Sequence, residues 1–275
     1  MKRMVKQGLL MVLAVAGRIF PSDGVRILTY HSVDRSGSPI SVSPERFEAQ
    51  MTCLADEGYR VVSLREMLAE WSEGQGPVPG DRRVVLTFDD GYRNNYTAAF
   101  PILRRMGFTA TVFLAVGYIG GDNGWERDPR IRGMRLLSWE EIREMAQGGM
   151  EFGAHTVGHV DLAAVSETEA EREIRESRER IEEGLGKSAD LFCYPYGRFT
   201  PGIQEQVRRA GFSGACSIRY GIGNRPEDRY ALRRVGTSRF HSMQDFRAGI
   251  RGTYGWYVSL RDYVRFPGMV NQSPR

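Results

Sequence analysis

The chain has 275 residues, 41% of them apolar and 26% charged, and a formal net charge of +4. That composition supplies a large core and excludes wholesale disorder, collagen-like repeats and low-complexity classes. The basic residues are spread along the chain rather than gathered in a block, so nucleic acid is not an expected partner.

At the N-terminus, Lys2, Arg3 and Lys6 precede an apolar run over residues 8–17, and Ala14-Val15-Ala16 resembles a small-residue cleavage site. That is a short signal-like pattern. The run is well below the roughly 20 apolar residues needed to cross a bilayer. A basic amphipathic helix on a membrane surface, or packed on the domain, fits equally well. Residues 1–24 are therefore expected to form a separate basic, apolar segment. Residues 25–265 would form one folded domain and 266–275 a C-terminal tail. A membrane-associated or extracytoplasmic location is expected, with a cytoplasmic one left open.

From residue 25 the chain alternates short apolar runs with longer helical patterns. Strands are expected at 25–30, 60–63, 84–88, 110–116, 150–154, 191–194, 214–218 and 231–235. Most are continuous apolar runs, as in parallel strands buried on both faces. A helix is expected over 44–57, after Ser43 as N-cap and with Pro44 at its first position. Another is expected over 166–185, where Ala170, Ile174, Ile181 and Leu185 form one stripe. Three times a glycine and an aromatic residue close a helix before a strand: Gly58-Tyr59, Gly107-Phe108 and Gly211-Phe212. Repeated βα units of this kind predict an α/β fold, either a (β/α) barrel or a doubly wound sheet, with the barrel favoured. Residues 75–81 and the longer insert 117–135, which holds Trp125, read as loops. Cys53, Cys193 and Cys216 are too few and too scattered for a disulfide framework and are expected as small buried side chains.

Two motifs carry chemistry. The strand at 84–88 ends in Asp89-Asp90-Gly91, and active sites of parallel α/β folds lie at the C-terminal ends of strands. Adjacent carboxylates there repel unless a cation or hydrogen bonds satisfy them. An aspartate capping the next helix would look the same. The strand at 150–154 ends in His155-Thr156-Val157-Gly158-His159, which brings two imidazoles to one side of a turn. With only four histidines in the chain, two at this spacing stand out, although a structural pair remains open. Together, Asp90, His155 and His159 form a candidate catalytic metal site for one divalent ion, zinc first, with cobalt, nickel or manganese also suited. Asp89 beside them could take a proton from a bound water.

These motifs resemble the polysaccharide deacetylases, carbohydrate esterase family 4, with the NodB-homology domain. Thr87-Phe88-Asp89-Asp90-Gly91 and His155-Thr156-Val157-Gly158-His159 are similar to its first two motifs. Val160-Asp161-Leu162, Leu137-Ser138-Trp139 and Tyr194-Pro195-Tyr196-Gly197 extend the likeness over about residues 25–235. The resemblance implies a distorted barrel, usually seven-stranded, and metal-dependent removal of N-acetyl groups from an amino-sugar glycan. It implies Asp89 as general base, Asp90, His155 and His159 as metal ligands, and the backbone N–H of Tyr196 as oxyanion donor. Tyr194, Pro195, Tyr196 and Trp125 are expected to contact the glycan.

Two departures bear on the outer site. Many members carry Arg where this chain has Tyr194, so another group must orient the base; Arg234, at the end of the last strand, is the candidate. The usual late Leu-x-His motif is absent, leaving His31 or His241 as general acid. His31 ends the first strand and so lies on the metal rim, and a subgroup resembling poly-N-acetylglucosamine deacetylases carries a similar Tyr-His segment with Tyr-Pro-Tyr-Gly. His31 is therefore preferred. An O-acetyl esterase, another amidase on the same barrel and a catalytically impaired glycan-binding domain are the competing functions.

Overall fold

A computed structural model gives the structure over residues 24–252, apart from Pro79 and Phe240. The expected segment 1–24, save Gly24, the last residues of the expected domain and the tail 266–275 lie outside the described residues. In chain order the strands are β1 (Arg26–Tyr30), a short pair β2 (Ser32–Val33) and β3 (Ser41–Val42), β4 (Arg60–Val61), β5 (Arg83–Phe88), β6 (Thr111–Leu114), β7 (Glu151–Ala154), β8 (Leu191–Cys193), β9 (Gly214–Tyr220) and β10 (Leu232–Gly236). The helices are α1 (Pro44–Asp56), α2 (Leu64–Ser72), α3 (Phe100–Met106), α4 (Trp139–Gln147), α5 (Glu167–Leu185), α6 (Pro201–Arg209) and α7 (Met243–Ile250).

Every ladder is parallel. The order β1-β10-β9-β8-β7-β6-β5 closes through pairing of β5 with β1 along Arg26–Tyr30. The result is a closed seven-stranded barrel with helices outside, the expected fold. Alternation along the strands divides the core in two. Ile27, Val85, Phe113, Leu191, Cys193, Cys216 and Leu232 pack together inside the barrel. Their neighbours Leu28, Leu86, Val112, Phe192 and Ala215 pack outward under the helices. This two-faced burial is why the strands read as unbroken apolar runs.

One of the eight expected strands, 60–63, is not a stave of the barrel. It is cut to Arg60–Val61 and pairs only with the start of β5. The strand stops because Ser63 turns into an N-cap, its hydroxyl accepting from Glu66 N–H. The helix that follows, α2, was not anticipated. It sends Leu64, Met67, Leu68 and Trp71 into the interior cluster and plugs the N-terminal mouth of the barrel. The part-buried Glu151 carboxylate fixes the plug by accepting from Leu64 N–H (3.1 Å) and the Thr111 hydroxyl (2.9 Å). With that end filled, the chemistry is left to the C-terminal mouth. The three cysteines are free and buried, as expected.

Candidate active site

Inward-facing positions at the upper ends of the strands are polar. On β5 the Thr87 hydroxyl donates to the Leu28 carbonyl (2.8 Å), and Asp89 N–H donates to Tyr30 O (2.9 Å), which anchors the strand end to β1. The chain then turns through two consecutive left-handed residues, Asp90 (φ 73°) and Gly91 (φ 77°). The left-handed conformation favours glycine at 91, where a Cβ would also meet Leu114 Cδ2 at 2.8 Å and push that side chain aside. The same pairing recurs after β8, at Tyr196 (φ 56°) and Gly197 (φ 63°). Among the described residues, the non-glycine residues with positive φ are Asp90, Thr156, His159 and Tyr196, all of them at this mouth. Strain of about 1–3 kcal/mol at each such residue persists only where the surroundings hold it.

Asp90, His155 and His159 converge. Asp90 Oδ1 lies 3.4 Å from His155 Nε2 and 3.1 Å from His159 Nε2, and all three residues are buried. Donors bound to one ion at about 2.1 Å sit roughly 3.0–3.4 Å apart, so these spacings suit a shared cation. The tautomer agrees. His155 Nδ1 is 2.7 Å from the Cys193 carbonyl, which can only accept, so Nδ1 carries the proton and Nε2 turns a lone pair toward a carboxylate. Two facing acceptors call for a positive charge between them. Burial alone would raise the Asp90 carboxyl, yet positive charge shared with the imidazoles beside it holds it well below the usual range.

Asp89 sits beside this trio in a different environment. Arg234, itself buried, reaches across the barrel and donates from both terminal nitrogens to Asp89 Oδ1 and Oδ2, each at 2.7 Å. Its remaining donors go to Ser217 O (2.8 Å), Thr87 Oγ1 (3.1 Å) and Cys193 Sγ (3.2 Å). The Ser217 carbonyl lies within a β9 bulge, where Cys216 pairs with Leu232 but Tyr220 with Arg234. Burial pushes Asp89 up, but the guanidinium more than offsets it and leaves the carboxyl below its usual range. Asp89, His155 and Cys193 form a second trio at metal-ligand spacing. Burial pushes the Cys193 thiol well up, however, so it stays protonated, and Asp89 is committed to Arg234.

His31 follows β1 on the same rim, with Nε2 4.0 Å from Asp89 Oδ2 and the side chain about one-third exposed. Its segment is clamped by a π-helical turn, Asn95–Ala99, and the residue before it. Asn95 Nδ2 donates to His31 O (2.8 Å), and Asn94 bonds Val33 N–H, the Ser32 hydroxyl and Asp34. π-turns of this kind gather at functional sites. His241 lies beyond β10, with Ser238 N–H donating to its Nδ1 (3.1 Å).

Aromatic rings form the rim. Trp125 stacks on His159 (4.6 Å, 18°), Tyr118 meets Trp125 edge-on, and Tyr196 meets His159 edge-on at 4.9 Å while remaining half exposed. Tyr194 does not join them. As the outward neighbour of inward Cys193 it is wholly buried on the helix side, its hydroxyl donating to Tyr230 O (3.0 Å) and its ring stacked on Phe199. Its expected glycan contact is corrected on that ground. Pro195 is likewise buried, within the turn that presents Tyr196.

Sequence reasoning missed Glu173. From α5 its carboxylate accepts from Val157 N–H (2.8 Å) and Gly158 N–H (2.7 Å), two of the three amides between the paired histidines. The signal was present: an acid sits on the apolar stripe between Ala170 and Ile174, where a solvated side chain has no place.

Comparison with known proteins agrees with the geometry. Residues 77–215 match the family model described as polysaccharide deacetylase. YxkH of Bacillus subtilis, which carries this family's name, is 31% identical over 82% of this chain and 75% of its own length. A poly-beta-1,6-N-acetyl-D-glucosamine N-deacetylase of Staphylococcus aureus is 27% identical over 65% of this chain and 61% of its own. The structure of IcaB from Ammonifex degensii superposes with a TM-score of 0.73 at 28% identity, covering 85% of this chain and 98% of that one. A matched core spanning the β5 and β7 motifs, and a relative 31% identical over most of both chains, place this chain in the polysaccharide deacetylase family.

Proposed function

We propose that the protein is a metal-dependent hydrolase that removes N-acetyl groups from an amino-sugar glycan. The observation that carries this reading is the division of labour between two adjacent carboxylates. Asp90 faces two imidazoles that want a cation, whereas Asp89 is ionised, oriented by Arg234 and free of that cluster.

Asp90, His155 and His159 would hold one divalent ion, zinc first among the ions suited to such ligands. When bound, that ion acidifies a water and polarises the acyl carbonyl. Asp89 accepts the proton of the attacking water, its orientation fixed by the Arg234 fork. The Tyr196 N–H, held at the rim by its left-handed backbone, donates to the oxygen that gains charge. His31 Nε2 delivers a proton to the departing sugar nitrogen, so the amide and one water end as acetate and a free amine. Trp125 and the exposed Tyr196 ring offer flat apolar faces on which a sugar ring can rest. Poly-β-1,6-N-acetylglucosamine, named in the staphylococcal relative, is the first glycan to test.

The test is acetate release from β-1,6-linked N-acetylglucosamine oligomers by the purified chain, with metal content measured in parallel. Acetate stoichiometric with new amine, lost on chelation and restored by zinc, is the expected result. An O-acetylated xylan cleaved in preference to the oligomers would turn the reading toward an esterase.

A further inference from the structure

A second groove opens at the catalytic mouth, beside the residues described above. It is a cavity of about 360 Å³ between the loop after β1, the loop after β5 and the insert before α4. That size falls at the lower end of the ~300–1,000 Å³ typical of small-molecule sites. Arg93, Arg130, Arg132 and Arg135 line it, opposed by a single carboxylate, Asp34. Asp34 is already engaged, accepting from the Ser32 hydroxyl (2.6 Å), Ser36 N–H (2.8 Å) and Asn94 Nδ2 (2.9 Å).

The arginines are not equally satisfied. Arg93 pairs with Glu141 at 2.7 Å and Arg130 with Asp128 at 2.5 Å. Arg132 has neither a hydrogen bond nor an ion pair from its side chain among the described residues. The Arg135 side chain donates only to the Gly120 carbonyl (3.2 Å). Like charges gathered in one groove repel, and neither Arg132 nor Arg135 has an acidic partner among the described residues to offset this. Their common feature is the groove. It is also fastened to the catalytic motif, since Arg93 N–H donates to Arg135 O and Leu137 N–H to Gly91 O, each at 2.9 Å. Guanidinium forks match the oxygens of phosphate and carboxylate.

We infer that this groove binds an oxyanion, a phosphate or a carboxylate, carried by the glycan close to the residue that is deacetylated. The inference rests on the deacetylase reading for the word glycan, but anion binding itself can be measured without turnover. An N-acetylated substrate bearing such a group would be docked by Arg132 and Arg135 while its acetamide reaches Asp89 and the paired histidines.

The experiment titrates the full chain calorimetrically with N-acetylglucosamine 1-phosphate, with glucuronate and with neutral N-acetylglucosamine. One anion or both should bind at least about tenfold more tightly than the neutral sugar, and whichever prevails identifies the oxyanion as phosphate or carboxylate. Arg132→Ser combined with Arg135→Ser should abolish that preference and flatten its salt dependence, leaving affinity for the neutral sugar unchanged. Equal binding of charged and neutral sugars overturns the inference. So does a preference that survives the double substitution, because the anion would then sit on the metal ligands instead. Tight anion binding without acetate release from any oligomer would sink the deacetylase reading and leave the groove standing.

Discussion

Arg234 and Asp89, 145 residues apart in the chain, meet in a two-bond fork of 2.7 Å and 2.7 Å inside the barrel. Neither group could be buried alone. Removing one partner of such a pair costs about 3–5 kcal/mol because the other charge is stranded. Arg234→Gln should therefore lower the melting temperature sharply. It should also raise the Asp89 pKa, since the main group opposing burial would be gone, and move the acid limb of the pH–rate profile upward. Arg234→Lys, which keeps the charge but not the fork, should fall between the two. An unshifted acid limb in Arg234→Gln would remove Arg234 from the mechanism.

Metal affinity and turnover should separate along the carboxylate pair. His155→Ala or Asp90→Ala should lose the metal, read by elemental analysis. Asp89→Asn should retain it and lose at least about a hundredfold in kcat, the lower end for a positioned acid–base group. Full activity in Asp89→Asn would mean that the base lies elsewhere.

His31 and His241 offer a direct contest for the proton donor. His31 Nε2 lies 4.0 Å from Asp89 Oδ2, whereas His241 Nδ1 is engaged by Ser238. His31→Ala should cut kcat by roughly 10²–10⁴-fold with little change in metal content, and His241→Ala should leave it near wild type. The opposite ranking would hand the role to His241.

The barrel was legible because parallel strands buried on both faces leave unbroken apolar runs, and all eight expected runs contain a strand. The convergence of Asp90, His155 and His159 was legible because these residue types are rare and their spacing tight. What escaped depended on contacts that no local pattern carries. The outward turn of Tyr194 follows from strand alternation, which places it opposite Cys193, yet motif likeness drew it toward the glycan. The plug helix α2 was missed although Ser63 and Glu66 sit at capping distance, because its apolar face is short. Ser138-x-x-Glu141, a full capping box at the start of α4, was likewise passed over. Glu173 and the Asn94–Asn95 clamp act across the fold on backbone groups, which a sequence does not display.

Acid should loosen the closed end of the barrel through Asp81. Its carboxylate accepts from Arg83 N–H (2.8 Å) and the Arg83 guanidinium (2.7 Å), and its carbonyl accepts from Arg26. Burial raises this carboxyl, but the Arg83 bonds outweigh it and the net shift is downward. A carboxyl with a lower pKa in the folded state adds stability above its unfolded value, near 3.9, and loses it as pH falls through the folded value. The melting temperature should therefore drop between about pH 5 and 3, and Asp81→Asn should show a shallower drop from a lower starting point. An unchanged slope in Asp81→Asn would assign the acid sensitivity to other carboxylates.

Glu173 should tune metal binding without touching the metal. Its carboxylate holds Val157 N–H and Gly158 N–H, and so sets the span between His155 and His159, whose left-handed backbone needs support. Groups that orient metal ligands are typically worth about 10–100-fold in affinity. Glu173→Gln keeps one acceptor oxygen and should weaken zinc binding within that range, whereas Glu173→Ala leaves two part-buried amides without their acceptor and should weaken it further. A purely structural role predicts a lower melting temperature with unchanged zinc affinity in whatever protein stays folded. Competition against a chromogenic chelator, run on folded fractions of both variants, distinguishes the two. Glu173→Gln with wild-type affinity would show that the histidine loop holds its shape unaided.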